Sequence, residues 1–331
     1  MANTDTSDTR TIQSLLASTL ENTLATGVVQ DAIFDAAPLT RRLRDAGNLQ
    51  VVSGGERLRT TLDYAKNSTA KSYTDLDPLD VNRKQTQTAA LFNWKQYSAS
   101  VVISGREMRI NKDATSKLFD LLTARLNNGA KSLVDKITSG LYSDGTGNGS
   151  KDITGLPAAI ETVPGSVSYA SVPTANSAWV NQIAATAGNA AVNMVPKLRT
   201  VTNQCSQGSE GFDSTPNLYI TTRTLHETME ALLQPQVRYE QNPASGADAA
   251  ISVLKFRGQD FIWSDYCTSG TVYVLNLNHL FLYVHEDANF DETDEGMQKP
   301  INQDGLVTQL LFMGNMLCNN RRKEGKVSGL T

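Results

Sequence analysis

The sequence has few of the side chains on which most enzyme chemistry depends. Its 331 residues include only three histidines and three cysteines. His279 and His285 are six residues apart in a strand-like region, which does not match the HxxxH spacing of a helical metal site. The cysteines are far apart and form no CxxC pair, which argues against a zinc site and a disulfide framework; they are Cys205, Cys267 and Cys318.

Long apolar runs and an excess of basic residues are also missing. No run approaches the ~20 residues that a membrane helix requires, and the first residues, MANTDTSDTR, contain no apolar signal core. We therefore expect no membrane contact and a protein made and used in the cytoplasm. The formal net charge is -4, whereas a protein that neutralises DNA phosphates needs a basic face.

Catalytic and cofactor motifs are absent too. The Gly-Thr-Gly-Asn-Gly stretch from Gly145 follows a predicted helix and lacks GK[ST], so it is interpreted as a turn. No GxSxG motif occurs. In the acidic stretch 286–295, Asp287, Asn289 and Asp291 fit a calcium loop, but Glu292 occupies its glycine position. We predict a solvated acidic loop, no cofactor, no metal and no catalytic residue.

The clearest regular element is a long amphipathic helix over residues 113–142. Asp113 is the predicted N-cap, and the glycine-rich stretch after residue 143 ends the helix. A helix of about 30 residues is about 45 Å long, against about 11 residues for an average helix. One apolar stripe runs along it: Leu118, Leu122, Leu126, Ala130, Leu133, Ile137 and Leu141.

Residues 50–104 are predicted to form a long two-stranded hairpin. One strand begins at Arg57 and the other covers residues 90–103, which are rich in aromatic and β-branched side chains. The segment between them is polar and almost free of large apolar groups, so it cannot form a core of its own. We expect it to project and contact a partner. The candidate contact residues are Glu56, Arg57, Arg59, Lys66, Lys71, Asp75, Asp77, Asp80, Arg83 and Lys84.

The remaining chain predicts an α+β protein. Apolar residues between Ile12 and Leu24 recur at helical spacing in an otherwise polar arm. A mixed lobe follows the long helix, with a strand at 218–222, a helix starting at Thr224 and a strand-turn-strand around Gly258. Further strands are predicted at 272–275, 280–284 and 306–312.

Several stretches from about residue 54 onward resemble one known family. They are GERLRTTLDYAKNSTAKSYTDLDPLD, TAALFNWKQYSASVVISGREMRINKD, LLQPQVRYE, LKFRGQDFIWSD, VYVLNLNHLFLYVHE and LLFMGNMLCNNRRKEGKVSGL. Their order resembles the major capsid proteins of tailed phages with the Hong Kong 97 type fold. The resemblance implies an N-terminal arm (1–49), an extended loop (50–104), a peripheral domain with the spine helix (105–149), an axial domain (150–275) and terminal strands returning to the peripheral domain (276–331).

The same resemblance implies a function and partners. The chain would assemble as hexamers and pentamers into the icosahedral head shell around double-stranded DNA, without sequence-specific DNA contact. A portal protein and a decoration protein are implied partners, and the virion is the implied location. Because the extended loop begins near residue 54, a fused scaffolding domain has no room, so we expect a separate scaffolding protein. The alternatives are an encapsulin-type compartment shell and, less favoured, a metal-dependent enzyme that uses residues 286–295.

Overall fold

Two β-sheets, of four and six strands, and a separate two-stranded hairpin form the framework. The computed structural model describes residues 37–63, 65, 67–110, 115–172, 179–206, 215–233, 254–292 and 297–331. The helix predicted between Ile12 and Leu24, most of the predicted arm, Lys66 and Asp113 lie outside the described residues. The mixture of sheets and helices confirms the predicted α+β class.

The described helices include one that is far longer than the others. They are α1 (Pro38–Asp45), α2 (Gly105–Ile110), α3 (Thr115–Leu141), α4 (Gly147–Ser150), α5 (Leu156–Ala159), α6 (Ala190–Cys205) and α7 (Arg223–Leu233). Two 3₁₀ turns occupy Leu277–His279 and Arg321–Lys323. The predicted spine helix is confirmed as α3.

The strands of the described residues fall into three sheets. They are β1 (Leu49–Val52), β2 (Leu58–Asp63), β3 (Gln87–Phe92), β4 (Lys95–Ser104), β5 (Gln182–Gly188), β6 (Leu218–Thr221), β7 (Lys255–Phe256), β8 (Gln259–Trp263), β9 (Val272–Leu275), β10 (Leu280–Glu292), β11 (Gly305–Cys318) and β12 (Gly325–Leu330). The sheet orders are β1-β10-β11-β4, β5-β12-β9-β6-β8-β7 and β2-β3. The short strands predicted around residues 218, 258, 272, 280 and 306 are all present.

The spine helix covers the four-stranded sheet. Its predicted apolar stripe is buried from Leu122 to Leu141, and Leu122 and Leu126 pack with Val101 and Ile103 of β4. Burying each leucine side chain stabilises the fold by about 1.5–3 kcal/mol. The helix approaches the sheet closely at Gly129, where an added Cβ would lie 3.0 Å from Val101.

The six-stranded sheet forms a second core with α6 and α7. The resemblance implies that the terminal strands return to the peripheral part, and the last of them, β12, belongs to this six-stranded sheet. β12 lies between β5, to which it is parallel, and β9, to which it is antiparallel. Gly325 permits this position because a Cβ there would lie 2.5 Å from Val201 and 2.9 Å from Cys205 of α6.

Two further strand predictions need correction. The single strand predicted at 90–103 is broken between Phe92 and Lys95, so β3 and β4 belong to different sheets. The acidic loop predicted from residue 286 is instead a continuation of β10 as far as residue 292, with register shifts after Val284. Phe290 explains this, since its buried ring packs 5.3 Å from that of Phe312 and holds the stretch against β11.

The buried apolar stripe of the spine helix leads to a stability prediction. Leu133→Ala removes a side chain that is 2% exposed, so we expect the free energy of unfolding to fall by about 2–5 kcal/mol. Lys131→Ala, on the exposed face of the same helix, is the control and should change it by less than about 0.5 kcal/mol. Urea unfolding measures both variants. Equal effects would show that the stripe does not face the core.

Candidate inter-subunit surface

The hairpin has a packed base and a projecting tip. β2 and β3 pair antiparallel from Leu58 opposite Phe92 to Asp63 opposite Gln87. Alternating side chains on one face are buried in the main core, namely Leu58, Leu62, Ala90 and Phe92. Period-two alternation puts such residues on one side of a strand pair. The base is therefore part of the body, and residues 67–86 belong to the segment that leaves it.

Aromatic and backbone contacts dock the hairpin base. The rings of Phe92 and Tyr169 meet edge to face at 5.3 Å, and the backbone N–H of Leu91 donates to the Ala170 carbonyl at 2.9 Å. The indole N–H of Trp94 donates to the Gly55 carbonyl at 2.8 Å, so it joins the two ends of the hairpin. These contacts set where the hairpin leaves the body.

Asn315 fixes the break between β3 and β4. This side chain is 1% exposed on β11. Its Nδ2 donates to the Asn93 carbonyl at 2.8 Å, and its Oδ1 accepts from the Thr154 N–H at 3.0 Å and from the Met316 N–H at 2.9 Å. Asn93 lies in the break between the two strands, so the bond to its carbonyl holds the bend that turns the hairpin away from the sheet.

A buried ion pair lies directly behind the docked base. The guanidinium of Arg321, 2% exposed, donates to Glu161 Oε1 at 2.7 Å and to the Ala159 carbonyl at 2.6 Å. It also lies over the Tyr169 ring, 4.9 Å from its centroid. Burial alone would raise the pKa of Glu161, but the hydrogen bond and charge of Arg321 lower it, and the net shift is downward.

Several of the predicted contact residues are engaged within the tip itself. Lys71 Nζ donates to the Pro78 carbonyl at 2.6 Å, and Asp77 accepts from the Thr74 N–H at 3.1 Å. Asp80 accepts from the Asn82 N–H at 3.0 Å and lies 3.6 Å from Lys84 Nζ. Exposed pairs of this kind contribute only about 0–1 kcal/mol. Their main effect here is to shape the tip.

The other predicted contact residues lie at the exposed surface of the hairpin. Lys66 lies outside the described residues; the exposed positions are Glu56, Arg57, Arg59, Asp75 and Arg83. The structure therefore spreads the predicted set along the whole hairpin and does not gather it into one charged patch.

The tip also carries apolar side chains that the sequence analysis missed. Leu76 is 98% exposed and Val81 is 91% exposed. Leu79, between them in the sequence, and Tyr73, before them, are also exposed. Single exposed apolar residues are ordinary, but a group on one projecting segment marks an interaction surface. The signal was present as apolar residues at positions 73, 76, 79 and 81 inside a polar stretch. We call these four residues the tip patch.

Reactive groups are not gathered elsewhere in the described part of the chain. No group of three or more histidine, cysteine, aspartate or glutamate side chains there could hold a metal ion. The three cysteines are free and buried, as expected, and burial raises the pKa of each thiol, that of Cys267 to about 12. None of the helices that the structure describes is long and apolar enough to span a membrane.

Comparison with known proteins identifies the fold. No family model and no curated protein matches the sequence. A structure of the cyanophage A-1(L) capsid asymmetric unit is 14% identical and covers 86% of this chain and 91% of its own, with a TM-score of 0.60. A structure of the satellite phage P4 procapsid is 14% identical and covers 92% of this chain and 91% of its own, with a TM-score of 0.50.

An encapsulin shares the same architecture. The SrpI encapsulin complex of Synechococcus elongatus PCC 7942 is 10% identical and covers 87% of both chains, with a TM-score of 0.53. At these identities the similarity concerns the fold. The predicted Hong Kong 97 type fold is thereby confirmed.

The Asn315 contacts predict a stability change at the hairpin base. Asn315→Ala leaves the Asn93 carbonyl and the Thr154 N–H without these partners, so the free energy of unfolding should fall by about 1–3 kcal/mol. Asn82→Ala in the exposed tip is the control and should have little effect. Chemical unfolding compares the two. A neutral Asn315→Ala would mean that the bend does not depend on this side chain.

The Glu161–Arg321 pair predicts a pH dependence. Glu161→Gln leaves the buried guanidinium unpaired and should destabilise the chain by about 3–5 kcal/mol at neutral pH. A lowered folded-state pKa gives stability that is present above the ordinary glutamate value, about 4.3, and is lost as pH falls through the folded value. The difference in the free energy of unfolding between wild type and variant should therefore become smaller in acid, as measured by urea unfolding. An equal difference at pH 7 and in acid would contradict this.

Proposed function

We propose that this chain is a major capsid protein that self-assembles into the icosahedral head shell around the double-stranded DNA of a tailed phage. One observation carries the proposal. The chain has a fold shared with phage capsid proteins. On that fold the hairpin carries the tip patch, which no other described part of the chain covers. A polar segment with exposed apolar side chains gains stability when it lies on a neighbour.

Contacts between copies would hold the shell. Burial of the tip patch on an adjacent subunit contributes about 25 cal/mol for each Å² of apolar surface. Mixed charges along the hairpin favour one register and oppose others. A head-to-tail contact closes into a ring when the rotation between neighbours permits it, and the proposed rings are hexamers and pentamers. Multivalency strengthens many weak contacts in a closed shell.

In this proposal the four-stranded sheet and the six-stranded sheet belong to different parts of the subunit. Residues 105–149, with the spine helix, form the peripheral part together with the four-stranded sheet. The six-stranded sheet with α6 and α7, which covers most of residues 150–275 and also includes β12, forms the axial part. Copies of the axial part would meet at the five-fold and six-fold axes.

The proposed partners follow from the shell function. They are further copies of this chain, a separate scaffolding protein, a portal protein and a decoration protein, in a virion assembled in the host cytoplasm. The satellite phage P4 structure is a procapsid that includes a size determination protein, which supports an accessory protein during assembly. The net charge of -4 gives the chain no overall excess of basic residues for binding DNA phosphates, and we propose that the packaged DNA is enclosed without sequence-specific contact. The subunit has a structural function and is not an enzyme.

An encapsulin-type compartment is the second candidate, supported by the SrpI structure. Particle contents separate the two functions. Particles that contain nuclease-protected DNA, or that mature in the presence of a portal protein, support the capsid. Particles that retain a protein cargo and exclude DNA would support the compartment.

Deletion of residues 66–84 tests the assembly role of the tip. It leaves Tyr64, Ala65, Gln85 and Thr86 to join β2 to β3, and a four-residue connection is ordinary for a hairpin. We expect a folded chain that forms no shells, as judged by circular dichroism and negative-stain microscopy in the presence of scaffolding protein. Intact particles from the deletion variant would refute the assembly role.

Charge substitutions in the tip patch test whether assembly needs its apolar side chains and not only the presence of the segment. Leu76→Asp with Val81→Asp places two carboxylates on the proposed contact and should abolish assembly without lowering the unfolding temperature. Ser68→Asp with Ser72→Asp adds the same charge to exposed polar positions of the same segment and should still assemble. Sedimentation velocity compares them. Loss of assembly in both pairs would assign the effect to charge alone.

A further inference from the structure

Two connections between the sheets lie side by side. Residues 276–279 join β9 to β10, and residues 319–324 join β11 to β12. The backbone N–H of Asn319 donates to the His279 carbonyl at 3.0 Å, and Asn319 Oδ1 lies 2.8 Å from His279 Nδ1. At the other end, Glu324 Oε2 accepts from the Asn276 N–H at 3.0 Å. The Glu324 side chain therefore clamps both connections at the margin of the six-stranded sheet.

This carboxyl group is fully buried and incompletely paired. Glu324 is 0% exposed, and its Oε1 has no hydrogen-bond partner among the described residues. Its backbone is fixed as well, since its carbonyl accepts from the Gln182 N–H at 3.0 Å. Burying an ionised carboxylate with an unpaired oxygen costs far more than burying the neutral acid.

Two of the nearby cations, Arg321 and Lys326, contact other groups. Arg321 pairs with Glu161, and Lys326 Nζ donates to Thr162 Oγ1 at 3.0 Å. Lys323, on the same turn as Glu324, makes interactions of its own. Thus Arg321 and Lys326 direct their charges to Glu161 and Thr162.

Within the described ranges, three titratable groups of other segments interact with Glu324, and each is neutral when protonated. They are the thiols of Cys205 on α6 and Cys318 on β11, and the phenol of Tyr169. Burial raises the pKa of all three, so they stay protonated. Burial likewise raises the pKa of Glu324 well above its ordinary value, against the smaller opposite effect of the Asn276 hydrogen bond.

We propose that Glu324 is a proton-operated latch on the junction between the two sheets. In its neutral form the buried carboxyl holds the two connections together; when it ionises, the junction opens and the carboxylate reaches water. This device goes beyond the proposed shell function and does not depend on it.

The direction of the pH effect follows from proton linkage. A folded-state pKa above the ordinary one means that the closed junction binds a proton which the open junction releases. The stabilisation is complete below the ordinary glutamate value, about 4.3, and disappears as pH rises to the folded value. Within that window the opening equilibrium should rise about tenfold for each pH unit. The stability that Glu161 contributes has the opposite pH dependence, because the pKa of Glu161 is lowered in the folded chain.

Hydrogen exchange of the full chain tests the latch at the amide of Asn276. After correction for the intrinsic exchange rate, protection at residues 276–279 and 319–324 should fall with rising pH in the wild type. Glu324→Gln, a neutral isostere that leaves His279 in place, should be protected at all pH values. Glu107→Gln on α2, far from the junction, is the control and should retain the wild-type pH dependence.

Infrared spectroscopy supplies a second readout that does not require comparison of stabilities. At about pH 6, above the ordinary glutamate range, the wild type should show the C=O stretch of a buried protonated carboxylic acid, and Glu324→Gln should lack that band. If the band is absent from the wild type, if Glu324→Gln fails to fold, or if its exchange follows the wild-type pH profile, the inference is wrong. Each readout applies to assembled or unassembled chains, so failure of the shell proposal leaves the test intact.

Discussion

The guanidinium of Arg321 is buried where the hairpin base, the end of α5 and the connection between the two sheets meet. Because arginine keeps its charge, the surrounding chain must supply acceptors, and it does so with Glu161 and the Ala159 carbonyl. The same group lies over Tyr169, whose ring packs against Phe92 of the hairpin. The direction in which the tip projects therefore depends on a charged contact deep inside the body.

Local patterns were enough to predict most of the individual elements. The spine helix follows from its stripe of apolar residues, and the short strands follow from β-branched runs bounded by turns. The pairing of distant strands does not follow from such patterns. Nothing local to residues 325–330 shows that β12 enters the six-stranded sheet, and the break at Asn93 depends on Asn315, far away in the sequence. The helix α6 was missed, and Pro196 lies within it.

The sequence predicts the candidate surface from its charged residues and not from its apolar ones. Polar composition predicts that the segment between β2 and β3 projects, and its charged residues were the predicted contacts. Several of these, such as Lys71 and Asp80, are engaged within the tip, whereas Leu76 and Val81 are left exposed. Sequence composition averages over a segment and cannot show which side chains a turn directs outward. The exposed fractions of Tyr73, Leu76, Leu79 and Val81 in the structure define the tip patch.

The central claim is that the hairpin tip is completed by another copy of this chain. The most direct measurement is a cryo-electron microscopy reconstruction of the particles formed by the full chain with its scaffolding protein. We predict closed shells in which residues 67–86 lie on an adjacent subunit and the side chains of Leu76 and Val81 are buried in that contact. Shells whose tips extend into solvent, or only small uniform oligomers under all conditions, would contradict the account.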